Sequence, residues 1–199
     1  AMQLFVPSLP FMARDLAAPI DVAQLALSLS MAAIALANLI YGPLSDRFGR
    51  RPILLIGLVL FLIGTAIAAL ATSIEMLVVG RIIQAGGSAS GMVISRAIVR
   101  DVYGAEKAAS MIAYLTVAML AAPYVALIVG GALTDNVGWR AALWLAFVVG
   151  AIVTVIAFRI LRETHYEDRM PLAPLNLARN YAALFGSLEF TGYVLHTAF

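Results

Sequence analysis

Gly42-Pro43-Leu44-Ser45-Asp46-Arg47-Phe48-Gly49-Arg50-Arg51 is the stretch on which the reading of this chain turns. It joins two uncharged apolar runs, about 22–42 and 52–72. Each is close to the roughly 20 residues that a helix needs to cross the hydrocarbon core of a bilayer. Gly42 and Gly49 allow close helix approach and a tight reversal. Asp46 supplies a carboxylate suited to a helix N-terminus. Arg47, Arg50 and Arg51 mark one membrane face. An ordinary positively charged loop explains the arginines but not the spacing of Gly and Asp.

The rest of the chain has the same character. Apolar residues make up 63% of the 199 and charged residues 12%, against roughly 45–50% and about 25% in soluble domains. Long uncharged stretches alternate with short charged clusters, as repeated bilayer crossings require. No cysteine is present, so a disulfide framework and a thiolate metal site are excluded. The net charge is +2, and the basic residues sit mostly in turns. That distribution argues against nucleic acid as a partner and for a topology signal.

The expected organisation is all α. A truncated helix 1 covers 1–13, followed by helix 2 (22–42), helix 3 (52–72), helix 4 (75–98), helix 5 (107–133) and helix 6 (140–162). Residues 1–162 then form a transmembrane bundle, 163–184 a cytoplasmic connector, and 185–199 the start of a seventh helix. The opening stretch 1–12 lacks a basic n-region and a small-residue cleavage site, so it reads as part of a helix and not as a signal peptide. Asp21, Ser73 and Glu106 suit the N-termini of helices 2, 4 and 5. Pro52 suits the first turn of helix 3.

Ten of the 13 basic residues fall on one side of this topology: Arg47, Arg50 and Arg51, then Arg96, Arg100 and Lys107, then Arg159, Arg162, Arg169 and Arg179. Arg14 and Arg140 fall on the other, and Arg81 is left within a helix. The bias places the arginine-rich turns and the N-terminus in the cytoplasm. The chain also echoes itself. Gly42, Leu44, Asp46, Gly49 and Arg51 recur at the same spacing as Gly131, Leu133, Asp135, Gly138 and Arg140, and Arg14-Asp15 recurs as Arg100-Asp101. Both echoes lie three helices apart, which puts matching segments on opposite faces: an inverted repeat of two three-helix units.

The stretch 42–51 resembles the signature loop of the major facilitator superfamily. The resemblance implies the six-helix N-terminal half of a twelve-helix transporter. It also implies that Gly42, Asp46, Arg47, Gly49, Arg50 and Arg51 form a gating loop that locks against the missing C-terminal half of the same chain. Asp46 would meet a helix N-terminus there, and Arg47 and Arg50 would pair with acids or lipid phosphates.

Helix 4 places Arg81, Gln84 and Ser88 on one face, with Gly87 and Gly91 as a small-residue packing patch. Arg81 would lie about 10 Å along the helix into the membrane, where a charge needs a cavity or a partner. The segment resembles the helix 4 motif of proton-coupled antiporters, whose arginine serves proton exchange or substrate binding. In helix 5, Pro123, Gly130 and Gly131 resemble the antiporter motif, though Ala122 and Leu127 stand where relatives place Gly and Pro. Phe5-Val-Pro7-Ser-Leu-Pro10, Arg96 to Asp101 and Gly138-Trp139-Arg140 resemble the Bcr/CflA-type drug-resistance branch. Many relatives carry an acid in helix 1, where this chain has Gln3. Apart from Glu189, no carboxylate is expected clearly within a helix. Asn38, Tyr41 and Tyr114 are further candidates for cavity lining; His165 and His196 read as a solvated and a packed histidine.

These resemblances imply proton-coupled efflux of drugs or small amphipathic compounds by alternating access, by a monomer in a bacterial inner membrane. The implied partners are a small-molecule substrate, protons and the bilayer. No cofactor, metal site or catalytic constellation is read. A metabolite symporter or facilitator is the alternative within transport. A polytopic membrane enzyme and a non-transporting scaffold are the alternatives outside it.

Overall fold

The structure, a computed structural model, describes residues 9–164, and every regular element among them is a helix. Helix α1 is Leu9–Asp15, α2 is Ile20–Phe48 and α3 is Arg50–Ala69. A helical run Ile74–Val137 bends at Gly104 (φ 67°, ψ 172°) into α4, Ile74–Gly104, and α5, Glu106–Val137. Helix α6 is Trp139–Ile160. Five of these, α2 to α6, are long and apolar enough to cross a membrane. The limbs on either side of Gly104 double back on each other. Ser88 of α4 and Ala122, Val125, Ala126 and Val129 of α5 line one groove of about 630 Å³, together with residues of α3 and α6.

The helices reverse on single glycines. Gly49 ends α2 and begins α3 with φ 100° and ψ 152°. Gly138 ends α5 and begins α6 with φ 101° and ψ 161°. This backbone region is essentially closed to residues with a Cβ. The expected repeat is thus present in the backbone itself, at the two glycines that the sequence echo aligns.

Helix boundaries differ from the sequence expectation in one systematic way. Helix 2 does not stop at 42. It continues to Phe48 with Pro43 inside it, so most of the signature stretch is helix and only Gly49 reverses. Helices 4 and 5 likewise run on to Gly104 and Val137, and α1 extends to Asp15. An apolar run ends where the hydrocarbon ends, but a helix ends where the backbone can turn. Asp46, Asp101 and Asp135, expected in the turns after helices 2, 4 and 5, therefore sit in the last turns of α2, α4 and α5. Helix 3 is shorter than expected, ending at Ala69. Ser73 then caps α4, its hydroxyl accepting from the Met76 N–H at 3.3 Å. Gln3, His165, Glu189, His196, most of the 163–184 connector and the helix expected from 185 lie outside the described residues.

The α3–α4 contact is backbone on backbone. A Cβ on Gly80 would lie 2.6 Å from the Ala68 nitrogen, and one on Gly64 would strike the Gln84 backbone. A Cβ on Gly87 would lie 2.6 Å from the Gly57 oxygen. Small residues at this spacing let helices close up where no hydrophobic effect drives them together. Gly91, expected to share this role, faces open space. Two side-chain clusters finish the packing. Met12, Ala26, Ala69, Leu77, Trp139 and Leu143 gather the ends of α1, α2, α3, α4 and α6. Tyr41, Ile53, Ala89 and Ile94 join α2, α3 and α4 toward the other end.

Candidate functional site

At the arginine-rich end, Arg50 is 7% exposed and lies between two acids. Its Nε donates to Asp101 Oδ2 at 3.0 Å. Its Nη1 donates to Ser45 Oγ at 2.7 Å and to Asp46 Oδ1. The Ser45 hydroxyl proton is already given to the Gly42 carbonyl at 2.9 Å, so its lone pair is what faces Arg50. Beyond the Gly49 reversal, the first backbone N–H groups of α3 point at Glu163. Arg50 N donates to Oε1 at 2.9 Å and Arg51 N to Oε2 at 3.2 Å. A carboxylate at a helix N-terminus satisfies orphan donors and the helix dipole together. Arg51 closes the opposite kind of helix end, donating from Nη2 to the Phe158 carbonyl of α6 at 2.9 Å. Arg47 stacks on the neighbouring Phe48 ring, 5.3 Å from its centroid.

The opposite end repeats this plan with different side chains. Trp139 stands where Arg50 stands, one residue past the glycine. Its Nε1 donates to Asp15 Oδ2 at 2.8 Å, as Arg50 Nε donates to Asp101. Arg140, the counterpart of Arg51, donates to the Ala71 carbonyl just beyond α3 at 2.9 Å. It also pairs with Asp15 at 3.6 Å and lies 4.1 Å from the Trp139 ring centroid. Buried Thr134 donates to Gly130 O at 2.7 Å, as Ser45 does to Gly42 O.

Within the α3–α4 seam, Arg81 and Gln84 are each 1% exposed, and Thr65 is fully buried. Their hydrogen bonds run in one direction. The Thr65 hydroxyl donates to the Phe61 carbonyl at 2.6 Å. Its lone pair therefore accepts from Gln84 Nε2, at 2.7 Å. That turns the Gln84 amide oxygen toward Arg81, whose Nη1 donates to it. A guanidinium in the middle of an apolar bundle is thus held by an oriented amide. Such a group costs at least about 2.5–3.5 kcal/mol at a bilayer centre unless partnered.

The other candidates are scattered. Ser88 donates to the Ala85 carbonyl at 2.7 Å and faces the groove among α3, α5 and α6, so the expected triple Arg81, Gln84 and Ser88 is brought together only in its first two members. Asn38 is half-buried, and its Oδ1 has no hydrogen-bond partner among the described residues. Tyr41 is packed in the α2–α3–α4 cluster. Tyr114 is 70% exposed. Pro123 is half-buried inside α5, Gly130 is buried and Gly131 half-buried.

Three participants were not assigned roles from sequence. Thr65 carries a signal, being the one hydroxyl in the aliphatic run 53–71. Asp101 carries another, as the echo of Asp15. Glu163, the first acid after helix 6, has nothing in its spacing that marks it.

The Major Facilitator Superfamily model matches residues 1–194, and the chain belongs to that superfamily. It is similar to an uncharacterised MFS-type transporter, YdgK, of Bacillus subtilis, at 33% identity over 100% of this chain and 50% of the relative. Multidrug resistance protein D of Escherichia coli is 32% identical over 98% of this chain and 49% of its own length. A bicyclomycin resistance protein homolog of Haemophilus influenzae is 29% identical, covering 100% and 50%. Among solved structures, the human organic anion transporter MFSD10 shares the fold, with a TM-score of 0.56 and 24% identity over 78% of this chain and 37% of that one. The chain spans about half the length of the curated relatives it matches.

Proposed function

We propose that the full-length protein exports small amphipathic or cationic compounds in exchange for protons, by alternating access between this bundle and a second half of the same chain. In this reading it works as a monomer in a bacterial inner membrane, with the arginine-rich end in the cytoplasm. Likeness to proteins named for multidrug resistance favours export of drugs. The observation that carries the coupling step is Arg81, a guanidinium 1% exposed in a membrane-spanning helix and oriented by Gln84 and Thr65. A permanently charged group in that position acts on any acid or cationic substrate that enters the pathway. The turn around Arg50 is the gate in this reading, with Asp46 the half-exposed group available to the second half.

The test is drug-driven proton movement in vesicles holding the full-length protein. Arg81→Ala should abolish it at normal expression, and Arg81→Lys, which loses the planar fork, should retain partial activity at most. Thr65→Val removes the acceptor that orients Gln84. A lost hydrogen bond in a charged relay costs about 1.5 kcal/mol, so coupled flux should fall about tenfold and return in Thr65→Ser. Undiminished coupling in Arg81→Ala would leave Arg81 a structural residue and end the proposal.

A further inference from the structure

Helices α3 and α6 do not close completely toward the arginine-rich end. They leave an open groove of about 650 Å³ whose walls include Leu55, Val59, Leu60, Val155 and Phe158. Val59, Val155 and Phe158 are 46%, 56% and 59% exposed. Nothing in the described part of the chain covers them. Arg159 forms the end of the groove, and exposed Arg162 lies three residues further on. Arg51 reaches the same place from α3, bonding the Phe158 carbonyl at 2.9 Å and stacking 5.4 Å from the Phe158 ring centroid.

The local charge does not cancel. Asp46 and Asp101 are both paired with Arg50. Glu163 is held by the backbone N–H groups that open α3. Among the described residues, no ion pair is formed by Arg51, Arg159 or Arg162. An apolar channel between two membrane-crossing helices therefore ends at Arg159, with Arg51 beside it and Arg162 one turn on, three guanidinium groups that form no ion pair among the described residues.

We propose that this groove binds an anionic phospholipid, with one acyl chain along the α3–α6 seam and the headgroup phosphate at Arg159, Arg162 and Arg51. The walls run from Thr154 to Arg159 on α6, roughly 8 Å by the helix rise. That accommodates the upper part of a chain and puts its phosphate beside the last turn of α6. Guanidinium forks suit phosphate oxygens. A zwitterionic headgroup brings its own cation to the site, while an anionic one does not, so the arginine cluster selects for net negative charge. The site is separate from the Arg81 seam, and its test does not depend on what the protein transports.

The experiment is native mass spectrometry of the detergent-purified full-length protein, titrated with phosphatidylglycerol or phosphatidylcholine. Phosphatidylglycerol should bind at least about tenfold more tightly. Arg159→Gln combined with Arg162→Gln should remove that preference. Val155→Trp, which fills the groove from its lipid-facing wall, should weaken retention of phosphatidylglycerol with the arginines intact. A phosphatidylglycerol with a photoactivatable acyl chain should label wild-type peptides containing 55–60 and 154–159. Equal affinity for the two lipids, a preference that survives the double substitution, or labelling confined to other helices would each overturn the proposal.

Discussion

The reversals at 42–51 and 131–140 share a backbone and differ in chemistry. Both turn on a glycine near φ 100°. Both use the following residue to reach an acid at the end of a helix from the other repeat, Arg50 to Asp101 and Trp139 to Asp15. Both use the next arginine to bond a carbonyl at or just past the end of α6 or α3. Because tryptophan serves at one end, the shared geometry needs a side-chain N–H at this position and not a charge. What the arginine-rich end adds is a cation at 50, an ion pair from it to Asp46, whose counterpart Asp135 forms none among the described residues, and a carboxylate, Glu163, on the α3 N-terminus. Those three additions separate a turn that only folds from one that we read as a gate.

The comparison can be broken most directly at positions 50 and 139. Arg50→Ala leaves Asp46 and Asp101 without their shared cation. Removing one partner of a buried pair costs about 3–5 kcal/mol, and the 48% exposure of the Asp46 side chain places the loss toward the lower figure. Trp139→Phe keeps the ring and loses one hydrogen bond to a carboxylate, about 1.5 kcal/mol. Denaturant unfolding of the full-length protein in detergent measures both. Equal losses would mean that Arg50 contributes no more than its counterpart.

Alanine at the two glycines sharpens the contrast. The backbone strain is the same at both, of order 1–3 kcal/mol. At Gly138 the new methyl meets open space, while at Gly49 it meets the Glu163 carboxylate. Gly49→Ala should therefore be the more destabilising, and Glu163→Ala in the same chain should bring it level with Gly138→Ala. Failure of that rescue would remove Glu163 from the account. The smallest effect is expected from Glu163→Gln, which keeps the shape and loses the charge at the α3 N-terminus. The loss should be about 0.3–1 kcal/mol and should shrink as salt rises; a loss indifferent to salt would point to shape alone.

Composition and periodicity made the crossings legible, because a bilayer leaves the backbone few solutions. The repeat was legible because Gly, Asp and Arg are required at positions where few other residues serve. Helix ends were misplaced where polar last turns carry the helix beyond the apolar run, as at 43–48 and 99–104. Within the Arg81 cluster, Arg81 and Gln84 were marked by helical spacing. Their partner Thr65 was not, since it comes from another helix, and a sequence does not give the rotation of one helix against its neighbour. Ser88 was drawn into the set by the same spacing, although its hydroxyl is spent on Ala85.

Gly49, Gly104 and Gly138 are each the single residue on which the helices they join reverse, and only 16–19 and 70–73 form longer links in the described chain. A protease needs an extended stretch that it can draw into its cleft, and single-residue links offer none. An inserted tag would have to force apart two helix ends held by the bonds around Arg50 or Trp139. The segment 70–73, with Leu70 and Thr72 exposed, is where cutting and insertion would be tolerated. Among the described residues, the arginine-rich end offers an antibody or engineered binder a sparse surface, made of helix termini and a few arginines.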